Sequence, residues 1–256
     1  MSSVDDVTHI LGRKPVREAL ENRADEIDKV LIQQGAEGEI IGAIRGAADR
    51  LGVQVQYVPA VKLNRMASGA NHQGVIAVAL PIQYHEFDDM LAAIAPTLND
   101  VQQQKPLLLA IDRVSDPHNF GALLRTAHAV GVAGVIVPET HMAPLNATVI
   151  KASAGAASRI PVARVADLSK SLYQLKERGY WVAGTSATAK QTLWEADLNR
   201  PTVLVMGSEG RGMRSDVEDQ CDYLISIPMP GSAESLNVSV AAAVVLFEAL
   251  RVRTTS

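Results

Sequence analysis

Three stretches hold the polar residues whose types and spacing suit chemistry. The first is SDPHNFGALLRTAHAVG, residues 115–131, where Asn119, Arg125 and His128 interrupt an apolar run. Asp116-Pro117 turns the chain, and Asn119 is placed to cap a helix over 119–130. A guanidinium among Ala122, Leu123, Leu124 and Ala127 either faces solvent or is buried with a partner, because burying it unpaired is costly. His128 falls on nearly the same face and reads as structural. The second stretch is GSEGRG, residues 207–212, whose three glycines let backbone approach a ligand closely. Its spacing is neither the dinucleotide fingerprint nor a P-loop. Glu209 stands at the loop tip, where it can pair with an arginine such as Arg125. The third stretch is PMPGSAESLNVSV, from Pro228. Ser232 or Ser235 can cap the helix that follows, whereas capping does not account for Asn237. Two glycine-bearing loops that each follow a strand can converge on one crevice, as a nucleotide-like cofactor requires.

The elements that must position these residues alternate from Leu107 onward. Strands are expected at 107–112, 134–138, 160–165, 180–185, 202–207 and 223–228. Helices are expected at 119–130, 145–152, 168–178, 214–220 and 236–251. Such alternation implies an α/β fold with a mostly parallel sheet and helices on both faces. The last helix is apolar nearly all round from Val240 to Leu246, so burial is expected. Residues 1–80 read as a small α/β domain. Its helical spacing runs through Ile40, Ile41, Ile44, Ala47, Ala48 and Leu51, with strands at 30–33, 53–57 and 75–80. Residues 81–106, punctuated by Pro81, Pro96 and Pro106, read as a linker carrying one helix near Phe87–Ala95. Residues 107–256 form the larger domain.

Composition bounds the function. Hydrophobic residues make up 47% of the 256, so a sizeable core can be buried, but only 4% are aromatic, so aliphatic side chains must fill it. The single cysteine, Cys221, excludes an intrachain disulfide and a cysteine-rich zinc site, and it fits a reduced, cytoplasmic setting. No apolar run reaches the ~20 residues of a membrane span. The net charge of −4 argues against a protein that coats nucleic acid nonspecifically. Residues 1–80 carry 9 basic against 10 acidic side chains and residues 107–256 carry 14 against 14, so RNA contacts must come from local patches. Arg13, Lys14 and Arg17 form one such patch, and Lys62 with Arg65 another.

Taken together, DRVSDPHNFGALLRTA, VMGSEGRGMR and IPMPGSAESLNVSVAAAVVLFE closely resemble, in order and separation, the three motifs of the SpoU branch of the SPOUT RNA methyltransferases. HILGRKPVREAL and NHQGVIAVAL resemble that family's small L30-like RNA-binding domain, so the likeness covers nearly the whole chain. The resemblance implies S-adenosylmethionine as cofactor, a deep trefoil knot near the C-terminus and a homodimer. It implies ribose 2′-O-methylation of RNA, with a guanosine of 23S ribosomal RNA as the expected target. A tRNA ribose methyltransferase of the same family and a non-catalytic RNA-binding module are the alternatives. By correspondence, Asn119, Arg125, Glu209, Ser235 and Asn237 match the family's active-site positions. Gly207, Ile227 and Leu236 match its cofactor contacts, and no metal is implied. The resemblance would have Glu209 and Asn119 orient Arg125, with Ser235 and Asn237 lining the transfer site. A nucleotide-binding oxidoreductase is disfavoured because no G-x-G-x-x-G follows any strand.

Overall fold

Val30-Leu31-Ile32 and the run from Val75 to Ala79 are unbroken apolar stretches, and a strand reads that way when both of its faces are covered. A computed structural model describes residues 9–24, 27–79, 84–231 and 235–255. It divides the chain into two units, Met1–Ile82 and Gln83–Ser256.

The first unit runs β1 (His9–Leu11), α1 (Arg13–Arg23), β2 (Ile27–Gln33), α2 (Glu39–Arg50), β3 (Gln54–Val58), α3 (Ala60–Ala67) and β4 (Val75–Ala79). The sheet order is β1-β4-β2-β3, with β4 antiparallel to both neighbours and β2 parallel to β3. Both faces are covered. Val30 and Ile32 pack with Val16 and Leu20 of α1 and with Ile41 and Ile44 of α2. Leu31 and Ile76 face the other way, onto Leu63 and Ala67 of α3. Each fully buried large aliphatic side chain contributes roughly 1.5–3 kcal/mol.

The second unit holds seven parallel strands: β5 (Leu107–Ile111), β6 (Gly134–Pro138), β7 (Val162–Val165), β8 (Trp181–Thr185), β9 (Gln191–Thr192), β10 (Thr202–Met206) and β11 (Tyr223–Ser226). Their order is β7-β6-β5-β10-β8-β11-β9, so β10 lies between β5 and β8. The helices are α4 (Phe87–Ile94), α5 (Leu98–Gln104), α6 (Pro117–Ala129), α7 (Ala147–Ala152), α8 (Leu168–Glu177), α9 (Ser215–Glu218) and α10 (Val238–Thr254). The two-residue β9 and the short 3-10 turns at 156–158 and 193–195 carry too few residues for periodicity to reveal them.

Three expectations are revised. The stretch 81–106 carries two helices rather than one, and it is not a free linker. Met90, Leu91, Ala95 and Val101 are buried in one core cluster with Leu108 and Ala163. β6 makes room for α4 with Gly134, where a Cβ would stand 2.9 Å from Met90 Sδ. Thr97 and Asp100 form a capping box that starts α5. Second, α6 begins two residues earlier than expected. Asp116 is its N-cap, accepting from His118 N at 3.0 Å, and Pro117 takes the first helical position. Asn119 is therefore inside the first turn, and its side chain is free of capping. Third, α10 is not buried all round. Ala242, Val245, Leu246 and Ala249 are enclosed, whereas Val240 and Phe247 are half-exposed.

Candidate active site

In a parallel sheet the loops leaving the strand C-termini meet at one edge, and ligands bind where successive connections diverge. Here β8, β10 and β11 end at such an edge. A cavity of about 330 Å³ opens there, walled by Thr185, Met206 and Ile225 from the strand ends. Gly207 and Ile227, from the loops after β10 and β11, and Leu236, just before α10, complete the wall. Ser235 and Glu209 also line it. Ser232, the other expected cap, lies outside the described residues.

The 207–213 loop is a tight lobe. Ser208 N donates to Gly212 O and Gly212 N to Ser208 O, each at 3.0 Å. Gly210 and Gly212 have φ of 74° and 66°, a region that favours glycine. At Gly207 a Cβ would stand 2.3 Å from Gly212 C and Met213 N, so the fold-back excludes any side chain.

Glu209, at the tip of the lobe, gathers the polar cluster. Its Oε1 accepts from Asn119 Nδ2 at 3.3 Å, from Val238 N at 3.1 Å and from Asn237 Nδ2. Asn237 Nδ2 also donates to Asn119 Oδ1 at 3.0 Å. Asn237 Oδ1 accepts from Ser239 N at 2.9 Å, which makes Asn237, rather than Ser235, the N-cap of α10. The carboxylate therefore lies at the N-terminus of a 17-residue helix, whose dipole favours negative charge there. All three bonds fall on Oε1, so they leave the second oxygen unspent.

Arg125 does not join this cluster within one chain. It is exposed on α6 and, among the described residues, makes no ion pair or side-chain hydrogen bond. Six residues separate it from Asn119, which is ~9 Å along the helix and well round from Asn119's face. The expected Arg125–Glu209 pair is replaced by the two asparagines and a backbone N–H. The sequence reading missed Thr185 and Ser186 as cavity residues. The signal available was the end of the YWVAGT strand, which must open at the same sheet edge as VMG.

A cavity of this kind fits S-adenosylmethionine: apolar walls for an adenine ring, a glycine lobe that brings backbone close, and a few polar side chains such as Thr185, Ser186 and Glu209. Among the described residues no group of His, Cys, Asp and Glu could hold a metal, and no helix is long and apolar enough to cross a membrane.

Residues 106–247 match the SpoU rRNA Methylase family, and residues 9–85 match the RNA 2'-O ribose methyltransferase substrate binding family. The chain belongs to the SpoU rRNA methylase family. That membership makes it an RNA methyltransferase that uses S-adenosylmethionine. The chain is 42% identical to the 23S rRNA (guanosine-2'-O-)-methyltransferase RlmB of Vibrio parahaemolyticus, over 95% of this chain and 96% of that one. It is 40% identical to the TrmH-family protein YacO of Bacillus subtilis, over 96% of each. Among solved structures, the AdoMet-bound rRNA methyltransferase from Sinorhizobium meliloti superposes with a TM-score of 0.72 at 26% identity. That match covers 96% of this chain and 87% of the other.

Proposed function

We propose that this SpoU-family protein methylates the ribose 2′-hydroxyl of a guanosine in 23S ribosomal RNA. The observation that carries the reading is the meeting of Glu209, Asn119 and Asn237 at the rim of an apolar, glycine-walled cavity. The full-length likeness to the Vibrio enzyme supports the choice of RNA and nucleotide.

S-adenosylmethionine, when bound, supplies an activated methyl group. Gly207, Ile227 and Leu236 are the residues that would hold it, the first through backbone and the other two through apolar contact. A ribose hydroxyl is a poor nucleophile until its proton is shifted or its oxygen polarised. Asn119 and Asn237 orient Glu209, and Ser235 offers a hydroxyl beside Leu236. The Arg125 guanidinium presents five N–H donors and no acceptor, so it does not serve as base. Its chemistry suits gripping the adjoining phosphate and stabilising charge that develops on oxygen.

Arg125 reaches this site from a second copy of the chain in this reading. Support comes from α10, where Val240 and Phe247, two turns apart, leave 50% and 53% of their surfaces open on a helix otherwise built for a core. The family's C-terminal knot and a cytoplasmic location belong to the same reading. The first unit carries the RNA contacts. Lys14 and Arg17 are already paired with Glu18 and Glu21 on α1. Lys62 and Arg65 on α3 form no ion pair among the described residues, so α3 is the stronger candidate face.

The test is methyl transfer from labelled S-adenosylmethionine to 23S fragments and to tRNA transcripts, with the modified ribose mapped. A single modified guanosine in the ribosomal fragment is expected. Modification of tRNA alone would move the substrate to the family's tRNA branch. Cofactor binding with no transfer to either would leave a binding module.

A further inference from the structure

The glycine lobe is also anchored at its base, by a carboxylate that lines no part of the cavity. Asp112 follows β5 and is completely buried. Its N–H donates to Met206 O at 2.8 Å, carrying the β5–β10 pairing to the last residue of β10. Its side chain accepts twice from Arg214, at Oδ2 from the backbone N–H at 2.8 Å and at Oδ1 from Nε at 3.0 Å. Arg113, held at φ 61°, brings a second guanidinium to 3.5 Å. The burial is thus compensated by charge and by hydrogen bonds, without which an isolated carboxylate is expensive.

Arg214 is the residue at which the chain leaves the lobe. Between Met206 and Arg214 the backbone closes on itself through Ser208 and Gly212, with Glu209 at the far tip. At Gly207 the backbone packs directly on Gly212 and Met213, so the two ends of the lobe are held together at its base. Whatever fixes Arg214 fixes the direction in which Glu209 points.

We infer that Asp112 and Arg214 are positioning residues: the buried carboxylate pins the exit of the lobe, and through it holds Glu209 on Asn119, Asn237 and the Val238 N–H. The requirement is for a carboxylate rather than an amide. Both Arg214 groups are donors, and an asparagine would turn an NH₂ toward one of them. The kinetic consequence rests on the methyl-transfer reading above; the structural consequence does not.

Two measurements on the full-length protein test this. The first is amide hydrogen exchange at Val238, whose link to Asp112 runs through Glu209. Asp112→Asn should speed that exchange about tenfold, while Val135 in β6, bonded to Pro161 O, keeps its rate. Arg214→Ala keeps the backbone bond to Asp112 and removes the Nε bond, together with an exposed ion pair to Asp216, from a side chain one-third exposed. It should speed Val238 exchange by a smaller factor, and it serves if the Asp112 variant does not fold. The second is a double-mutant cycle for methyl transfer. Asp112→Asn should lower kcat about tenfold, yet add nothing to the loss already caused by Glu209→Gln. Wild-type exchange at Val238 in both variants, or fully additive kinetic losses, would overturn the inference. Faster exchange together with normal turnover by Glu209→Gln would instead refute the catalytic reading of Glu209 and leave the mechanical link standing.

Discussion

Asn237 Nδ2 donates to Asn119 Oδ1 at 3.0 Å, joining the start of α10 to the first turn of α6 across 118 residues of chain. The same side chain caps α10 through Oδ1. Asn237 therefore has two separable duties. Asn237→Ala should lose about 1 kcal/mol of stability with the cap and about 10²-fold in kcat with the cluster. Asn237→Ser keeps a capping oxygen but has no Nδ2. It should recover most of the thermal stability and little of the activity. Paired melting and turnover measurements check this, and parallel recovery of both would show that the cap alone matters.

Gly207→Ala tests the lobe. The added Cβ meets backbone atoms of Gly212 and Met213, which cannot swing aside as a side-chain tip can. Overpacking of this sort costs roughly 1–3 kcal/mol, and the lobe must open to relieve it. A lower melting temperature is expected, together with much weaker binding of S-adenosylhomocysteine by calorimetry. Unchanged cofactor affinity would mean that the cavity wall tolerates an open lobe.

Arg125→Ala separates chemistry from folding. The side chain is exposed and unpaired among the described residues, so stability should change by no more than ~0.5 kcal/mol. Cofactor affinity should also hold, whereas methyl transfer should be abolished. Mixing this variant with Glu209→Gln offers a further check. Heterodimers restore activity if one copy supplies Arg125 and the other Glu209. No restoration at any ratio would place both groups in one chain's site.

Alkaline pH should weaken the fold through two acids, the half-buried Cys221 and the buried Tyr180. Burial, with Glu218 and Asp222 adding to it, pushes the Cys221 thiol from 9.0 to about 12. Burial likewise raises the Tyr180 phenol from 10.0 to about 12. Between those limits the unfolded chain has released protons that the folded one still holds. Their contribution is intact below pH 9 and is lost as pH climbs toward 12. Melting temperature should fall over that window. Cys221 should also resist iodoacetamide at pH 8 until denaturant is added, because the thiolate is the nucleophile. Rapid alkylation of the native protein would contradict the shift.

The sequence revealed most where a period repeats over several turns or where a run is apolar throughout. The strands from Leu107 to Ile111 and from Thr202 to Met206 were legible because both faces are buried, which leaves Thr202, at one end, as the only polar residue in either run. Helix starts were harder. Asn119 and Ser235 both have the chemistry of a cap, yet Asp116 and Asn237 hold those positions, since a proline at the first helical turn and the pull of Glu209 decide the register. Arg125 and Glu209 looked like natural partners by charge. The helix geometry that separates them is visible only once Asn119, and not Arg125, is known to face the lobe. The linker reading of 81–106 failed for a related reason: Met90, Leu91 and Val101 are too few and too spaced to signal a core until Gly134 is seen to make room for them.

The position of β10 sets the order in which this sheet can be made. β5 and β8 are complete by Thr185, yet neither can pair with the strand that belongs between them until Thr202–Met206 has been synthesised. During that interval a growing chain on the ribosome carries one unpaired border on β5 and two on β8, open to wrong neighbours or to a chaperone. A nascent chain arrested just short of Thr202 would be the form most prone to aggregate.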